Sequence, residues 1–228
     1  MENNLLTIAK EYKASGLSVM SLNKGEKVPG QGWTKLTQQL ATDSEMNYMF
    51  RGEADLAIIM GKVSGNIEAF DFDVKYAPAD VDIFQTWKDE VEKRAPGATS
   101  KPTIEKTPSG GFHAVYHCST IGPSKKLARQ KNPKYNPSIP KDSPDYEPES
   151  VCFIETRGEG AYIKAAPSPG YTLIQGDFKN IQTITEEERK VFYEVSYAMS
   201  QYTPSESMAK VVPSNVSNDI SLPGNTLS

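Results

Sequence analysis

Ile67-Glu68-Ala69-Phe70-Asp71-Phe72-Asp73-Val74 is an apolar strand with two carboxylates set into its end, one residue apart. Side chains on a strand alternate faces, so Asp71 and Asp73 project the same way, with Cα atoms about 6.5–7 Å apart. Phe70, Phe72 and Val74 point to the opposite face and can pack into a core. Two like charges at the end of a half-buried strand are costly unless a cation sits between them. Such a pair suits a hard divalent ion gripped together with substrate phosphates. The competing reading is an ordinary amphipathic strand with solvated aspartates, and the stretches around it bear on the choice.

The 228 residues suit one domain over 1–202 with a flexible tail or linker over 203–228, where Ser, Pro, Asn and Gly dominate. An apolar content of 37% is low for a fully globular chain and fits segments lying outside the core. Met1-Glu2-Asn3-Asn4-Leu5 has neither the basic start nor the apolar run of a signal peptide. Leu56 to Met60 is far short of a membrane span, so no membrane partner is expected. Cys118 and Cys152 offer no disulfide framework, which fits a reducing cytoplasm. With a net charge of -4, any nucleic-acid contact must run through a local basic patch.

In chain order, Leu5, Leu6, Ile8, Ala9 and Tyr12 recur at helical spacing before Gly16, and Leu17 to Leu22 reads as a strand. Asn23 to Trp33 is a Lys- and Gly-rich loop, either anchored by a buried Trp33 or presenting Lys24 or Lys27 to a substrate. Asp43 or Ser44 is expected to cap a short helix through Phe50. Leu56 to Met60 reads as a buried strand joined to the Asp71 strand in an antiparallel hairpin. Val81, Phe84, Trp87 and Val91 mark a helix stripe over 79–94, ended by Pro96-Gly97.

A second hairpin is expected from Pro102 to His117 around Pro108-Ser109-Gly110-Gly111. Its glycines let backbone amides approach a ligand, and His113, on one face with Val115 and His117, follows directly. Residues 119–150 hold six prolines, and Lys125, Lys126, Arg129, Lys131 and Lys134 fall there with no acid between Ile121 and Lys141. That stretch reads as a basic, Pro-rich insertion, either solvated or gripping a nucleic-acid backbone. Val151 to Lys164 resembles a third hairpin, with Glu155 and Arg157 sharing one face of its first strand. They form either a surface ion pair or part of a triphosphate grip beside a metal. Ala166 to Tyr171 turns into a last short strand, and Thr185 with Glu188 forms a capping box opening a helix to about Gln201.

The order of these stretches resembles the bifunctional primase/polymerase domain of the archaeo-eukaryotic primase superfamily, over residues 10–175. The resemblance rests on four places: Gly16-Leu17 through Lys27-Val28-Pro29 to Trp33, Phe70-Asp71-Phe72-Asp73, Thr107-Pro108-Ser109-Gly110-Gly111-Phe112-His113, and Ile154-Glu155-Thr156-Arg157-Gly158. It implies an α+β fold, a primase-like catalytic core with an RNA-recognition-motif-like antiparallel or mixed sheet flanked by helices. It implies that Asp71, Asp73 and Glu155 are catalytic and hold two Mg²⁺ or Mn²⁺ ions. The incoming dNTP or NTP would lie against Ser109, Gly110, Gly111, His113 and Arg157. Lys125, Lys126, Arg129, Lys131 and Lys134 would hold a single-stranded DNA template and primer. Glu155 stands where this group more often has Asp. His117, Cys118 and Cys152 are too few and too scattered for the zinc module of some relatives.

The function implied is template-dependent priming and DNA synthesis for a phage, plasmid or other mobile element in a bacterial cytoplasm, alongside a helicase domain or partner. The same chemistry in repair or CRISPR-associated synthesis is an alternative. A non-catalytic module that binds nucleotide or single-stranded DNA is another, and a metal-dependent nuclease a further one.

Overall fold

The computed structural model describes residues 4–30, 32–79 and 81–202. Along the chain run α1 (Asn4–Ala14), β1 (Ser18–Asn23), α2 (Asp43–Met49), β2 (Ala54–Ile59), β3 (Ile67–Phe72) and α3 (Ile83–Arg94). There follow β4 (Thr103–Lys106), β5 (Phe112–His117), β6 (Lys126–Lys131), β7 (Ser150–Arg157), β8 (Tyr162–Lys164), β9 (Thr172–Gln175) and α4 (Glu186–Ala198). The strands form two antiparallel sheets, one of three strands in the order β1-β2-β8 and one of six in the order β6-β7-β3-β5-β4-β9. The fold is α+β, as expected. Among the described residues no helix is long and apolar enough to cross a membrane.

Because side chains alternate, β3 serves two cores at once. Phe70 and Phe72 pack with Ala114, Tyr116 and Ile154 under Phe84, Trp87 and Val91 of α3 and Phe192 and Val195 of α4. Phe70 meets Trp87, Tyr116, Phe192 and Tyr193 at ring-centroid distances of 5.4–6.1 Å. On the other face, Ile67, Ala69 and Val115 join the core made by β1, β2, α1 and α2. Asp71 is next on that second face, at the point where this core ends.

Several expectations hold: α1 stopping short of Gly16, β1, the β4–β5 hairpin, β9 and the Thr185/Glu188 capping box of α4. Others are corrected. Strands β2 and β3 do not form a hairpin. After β2 a 3₁₀ turn over Lys62–Ser64 carries the chain into the other sheet, leaving one bridge between Gly61 and Ile67. Ser64 fastens that turn to the smaller sheet by donating to Ile59 O at 2.6 Å and accepting from Ser18 N at 2.8 Å. Nor are β7 and β8 a hairpin, since β8 pairs with β2 and β7 lies between β3 and β6. The crossing turn needs Gly158, where a Cβ would lie 2.0 Å from Gly122 O.

The basic stretch is not wholly an insertion. Its nine proline-free residues from Ser124 to Asn132 contain edge strand β6, with Leu127 and Ala128 in the core. An edge position is where prolines to either side are tolerated. Helix α2 is capped by Thr42 rather than Asp43, because Thr42 and Glu45 complete a capping box. Helix α3 starts after Asp82, which leaves Val81 outside it and exposed, and α4 stops at Ala198 rather than near Gln201. The tail expected over 203–228 lies outside the described residues.

One polar group interrupts the apolar packing beneath α4. Glu68 on β3 is fully buried and accepts from Arg189 Nε at 2.7 Å and Nη2 at 2.9 Å, and from the Tyr116 and Tyr193 hydroxyls at 2.5 and 2.8 Å. Four donors on one carboxylate satisfy a charge that would otherwise be prohibitive at this depth. Arg189→Met leaves Glu68 with the two phenols alone. It should cost about 3–5 kcal/mol in urea unfolding, the range for breaking a buried pair, and Glu68→Gln in the same chain should restore part of it. A loss under about 1 kcal/mol would mean the charge is not buried as described.

Candidate active site

Strand register builds the site before any side chain is considered. Asp71 on β3 is the direct partner of His113 on β5 and of Glu155 on β7. His113 is in turn the partner of Glu105 on β4, and Glu155 of Lys126 on β6. Glu105, His113, Asp71, Glu155 and Lys126 therefore form one row across five strands, with directly opposed neighbours about 4.5–5.5 Å apart. The row lies where the apolar face of β3 gives out, so it opens into a cleft. Arg157 enters from one register step away, its residue being the partner of Ala69.

The cleft has a volume of about 440 Å³, and its lining includes Asp71, Asp73, Ser109, His113, Glu155 and Arg157. A second cleft of about 210 Å³ shares the wall made by Asp71, His113 and Arg157 and extends to Trp33, Tyr162 and Lys164. Arg157 Nε and Nη2 donate to Asp71 Oδ2 at 3.3 and 3.1 Å, and Nη2 is also paired with Glu155. His113 presents Nε2 toward Asp71 Oδ1 at 3.7 Å, while Nδ1 lies 2.7 Å from Glu105 Oε1. Asp73, just past the end of β3, has Lys75 Nζ 3.6 Å from Oδ2, and its buried Oδ1 has no hydrogen-bond partner.

Charge shapes this geometry. Burial pushes the Glu155 carboxyl above the usual carboxylate range, and the like charges of Asp71 and Asp73 add to the push against Arg157 and Lys126. Burial opposes the Arg157 charge, but Asp71 and Glu155 outweigh it and hold the guanidinium ionised. The Tyr171 phenol, which also lines the cleft, is pushed up to about 12 by burial and by Glu105 and Asp71.

The donor set fits a hard divalent cation. Three carboxylates face one cleft, burial and the like charges of the other two hold one of them back from ionising, and Asp73 holds a buried oxygen without a partner. Among the described residues no three His, Cys, Asp or Glu side chains converge on a single point. Instead the Arg157 guanidinium stands between Asp71 and Glu155 and pairs with both.

The expected residues do not all arrive together. Asp71, Asp73, Glu155, His113, Arg157 and Ser109 line the cleft, with the Ser109 hydroxyl 3.2 Å from that of Thr107. Gly110 and Gly111 do not, because the chain itself uses their freedom. Gly110 takes φ +85° and donates its amide to Thr107 O at 3.0 Å, while a Cβ on Gly111 would lie 2.1 Å from Phe72 O. The five basic residues do not make one patch either. Lys126 alone lines the cleft; Lys125 lies over the Tyr193 ring and Arg129 over the Tyr202 ring, and Lys131 and Lys134 are exposed elsewhere on the edge. In the loop after β1, Lys24 pairs with Glu53 while Lys27 lines both clefts. Trp33 is half-buried, edge-on to Tyr162 at 5.3 Å.

Two residues of the site escaped the sequence reading. Tyr171 sits in a turn with no local signal. Glu105 had one, because a hairpin turning at Pro108–Gly110 sets Glu105 opposite His113.

The sequence profile described as bifunctional DNA primase/polymerase, N-terminal, matches residues 9–186. No curated protein matches the chain. The matched span takes in every strand and the whole cleft lining.

Glu155 supplies a pH test. Its proton is held more tightly in the folded than in the unfolded chain, so ionising it costs stability above the ordinary carboxylate range, and the cost fades as pH falls toward that range. Without added metal, Glu155→Gln should melt at or above the wild-type temperature at pH 7, and the difference should shrink as the pH is lowered toward 4.5. A variant that is less stable at pH 7, with a gap that does not narrow, would contradict this electrostatic picture.

Proposed function

Because the chain belongs to the family of bifunctional DNA primase/polymerase N-terminal domains, we propose that this cleft is the active site of a template-directed nucleotidyltransferase. The observation that carries the reading is the register row that sets Asp71 between His113 and Glu155, with Arg157 and Asp73 at its mouth. A triphosphate needs cationic and hydrogen-bonding groups beside a carboxylate cluster, and this cleft supplies both.

Asp71, Asp73 and Glu155 are the residues that would hold the metal ions. Bound Mg²⁺ or Mn²⁺ would activate a primer or initiating 3′-hydroxyl and neutralise the triphosphate and its pyrophosphate leaving group. The chain's own groups do the positioning. His113 Nε2 faces the cleft beside Asp71 and is placed to meet a phosphate oxygen. Arg157 offers a planar fork whose present acceptors are carboxylates, the same geometry that grips phosphate. With Asp71 and Glu155 compensated by a bound cation, the Arg157 fork would be available to the triphosphate. The Ser109 and Thr107 hydroxyls offer further donors on the β4–β5 turn. A single-stranded template and primer would meet Lys126 and Lys27 at the cleft, with base choice made by pairing rather than by a protein pocket.

Templated primer extension with Mg²⁺ or Mn²⁺, and dNTPs or NTPs, tests the proposal. Asp71→Asn and Asp73→Asn should each abolish incorporation without unfolding the chain; incorporation within a few-fold of wild type by either would sink the metal assignment. Lack of turnover by the wild type under every metal and nucleotide, with triphosphate binding retained, would favour a binding module. His113→Ala and Arg157→Ala should each weaken triphosphate binding by about 1.5–3 kcal/mol, the range for a lost charge-assisted hydrogen bond. Calorimetry with a dNTP checks this, and unchanged affinity in both would return the two residues to a structural role.

A further inference from the structure

Five residues line both clefts: Lys27, Asp71, His113, Arg157 and Tyr171. Only Tyr171 among them is without a part in the reading above. Its ring belongs to the core of the smaller sheet, and the residue is 8% exposed. Buried tyrosines ordinarily find a partner for the hydroxyl. Tyr12 donates to Ala166 O, and Tyr116 and Tyr193 donate to Glu68. The Tyr171 hydroxyl has no hydrogen-bond partner among the described residues, and it is not sealed from solvent. It is a free polar group at the junction of the two clefts.

That hydroxyl is not needed to place the ring, because the turn before it is fastened from three elements. On β2, Leu56 N donates to Ser168 Oγ at 2.8 Å, and Ser168 Oγ donates to Leu56 O at 3.1 Å. Glu105 Oε2 on β4 accepts the Ala166 amide at 2.8 Å, and the Tyr12 hydroxyl on α1 donates to Ala166 O at 3.1 Å. Tyr171 N then closes the turn on Ser168 O at 3.0 Å. A packing role alone would be met by phenylalanine.

We propose that Tyr171 is a substrate-binding residue, its hydroxyl donating to a phosphate oxygen of the nucleoside triphosphate where the two clefts meet. The inference rests on the reading of the cleft as a triphosphate site. The neighbours at the junction decide the chemical class of group the hydroxyl meets. Lys27 and Arg157 bring positive charge there, and the His113 ring lies 6.0 Å from the Tyr171 ring between centroids. Such a set suits a phosphate better than a base or an apolar group. A phenol keeps its proton at neutral pH, so it can offer a hydrogen to an anion that carries none.

Tyr171→Phe removes the hydroxyl and leaves the ring. Because the hydroxyl has no partner within the chain, the variant without nucleotide should melt at the wild-type temperature. Its affinity for a nucleoside triphosphate, read by calorimetry with Mn²⁺ and no template, should fall roughly ten- to a hundred-fold, the range for a hydrogen bond to a charged group. The fall should be the same for a dNTP, an NTP and a dideoxynucleoside triphosphate, which share the phosphates and differ in the sugar. In primer extension the nucleotide KM should rise more than kcat falls.

A Tyr171→Phe chain that binds all three as tightly as the wild type overturns the inference. So does one that melts lower, because the hydroxyl would then serve the fold. A loss that disappears when a sugar hydroxyl is absent also overturns it, because the phenol would then read the sugar. A wild type that binds none of the three strikes the reading of the cleft itself, and that failure shows before any variant is made.

Discussion

Everything at the cleft depends on the register of β3 between β5 and β7. Pairing Asp71 with His113 on one side and Glu155 on the other puts an imidazole, two carboxylates and, one step away, a guanidinium within reach of one another. A slip of one residue would turn Asp71 and Asp73 into the aromatic core and Phe70 and Phe72 toward the cleft. The register is held from both faces. Phe70 and Phe72 are locked under α3 and α4, and Ile67 and Ala69 are locked against the smaller sheet. The buried Glu68–Arg189 pair adds a polar latch between β3 and α4, which slippage would break. The aromatic core thus sets the position of the acids.

The site is poised by charge balance. Three carboxylates lie at the mouth of the cleft, and the Arg157 fork pairs with two of them, Asp71 and Glu155. Burial and like charge leave Glu155 reluctant to ionise even so. Behind it, the buried Glu105 holds its Oε1 2.7 Å from His113 Nδ1.

What could be read from the sequence was what depends on neighbours in the chain. The alternation of Ile67 to Asp73, the turn at Pro108–Gly111 and the capping box at Thr185 are local, and each reads correctly. The partners of β2 and β7 are not local. Each lies next to a glycine-containing turn followed by another strand, and hairpin geometry is the simplest expectation there. Only the packing of two sheets shows that the chain crosses from one to the other. The basic residues of 125–134 read by composition as one patch, whereas Lys126 lines the cleft, Lys125 and Arg129 lie over the Tyr193 and Tyr202 rings, and Lys131 and Lys134 are exposed away from it. Glu105 lay within reach of sequence reasoning, through the hairpin that fixes it opposite His113. A strand carboxylate raises no signal, however, until its burial is known.

The central claim is that the Asp71 row and Arg157 together hold a metal-bound triphosphate. A crystal structure grown with Mn²⁺ and a non-hydrolysable deoxynucleoside triphosphate tests it most directly, because the anomalous signal of manganese places the ions independently of any fitted side chain. The account predicts manganese peaks within ligand distance of Asp71 and Asp73, with Glu155 completing the set. It predicts phosphate oxygens against His113 Nε2 and an Arg157 that has left the carboxylates for the triphosphate. Manganese and nucleotide bound away from β3, with Arg157 still paired to Asp71 and Glu155, would contradict it.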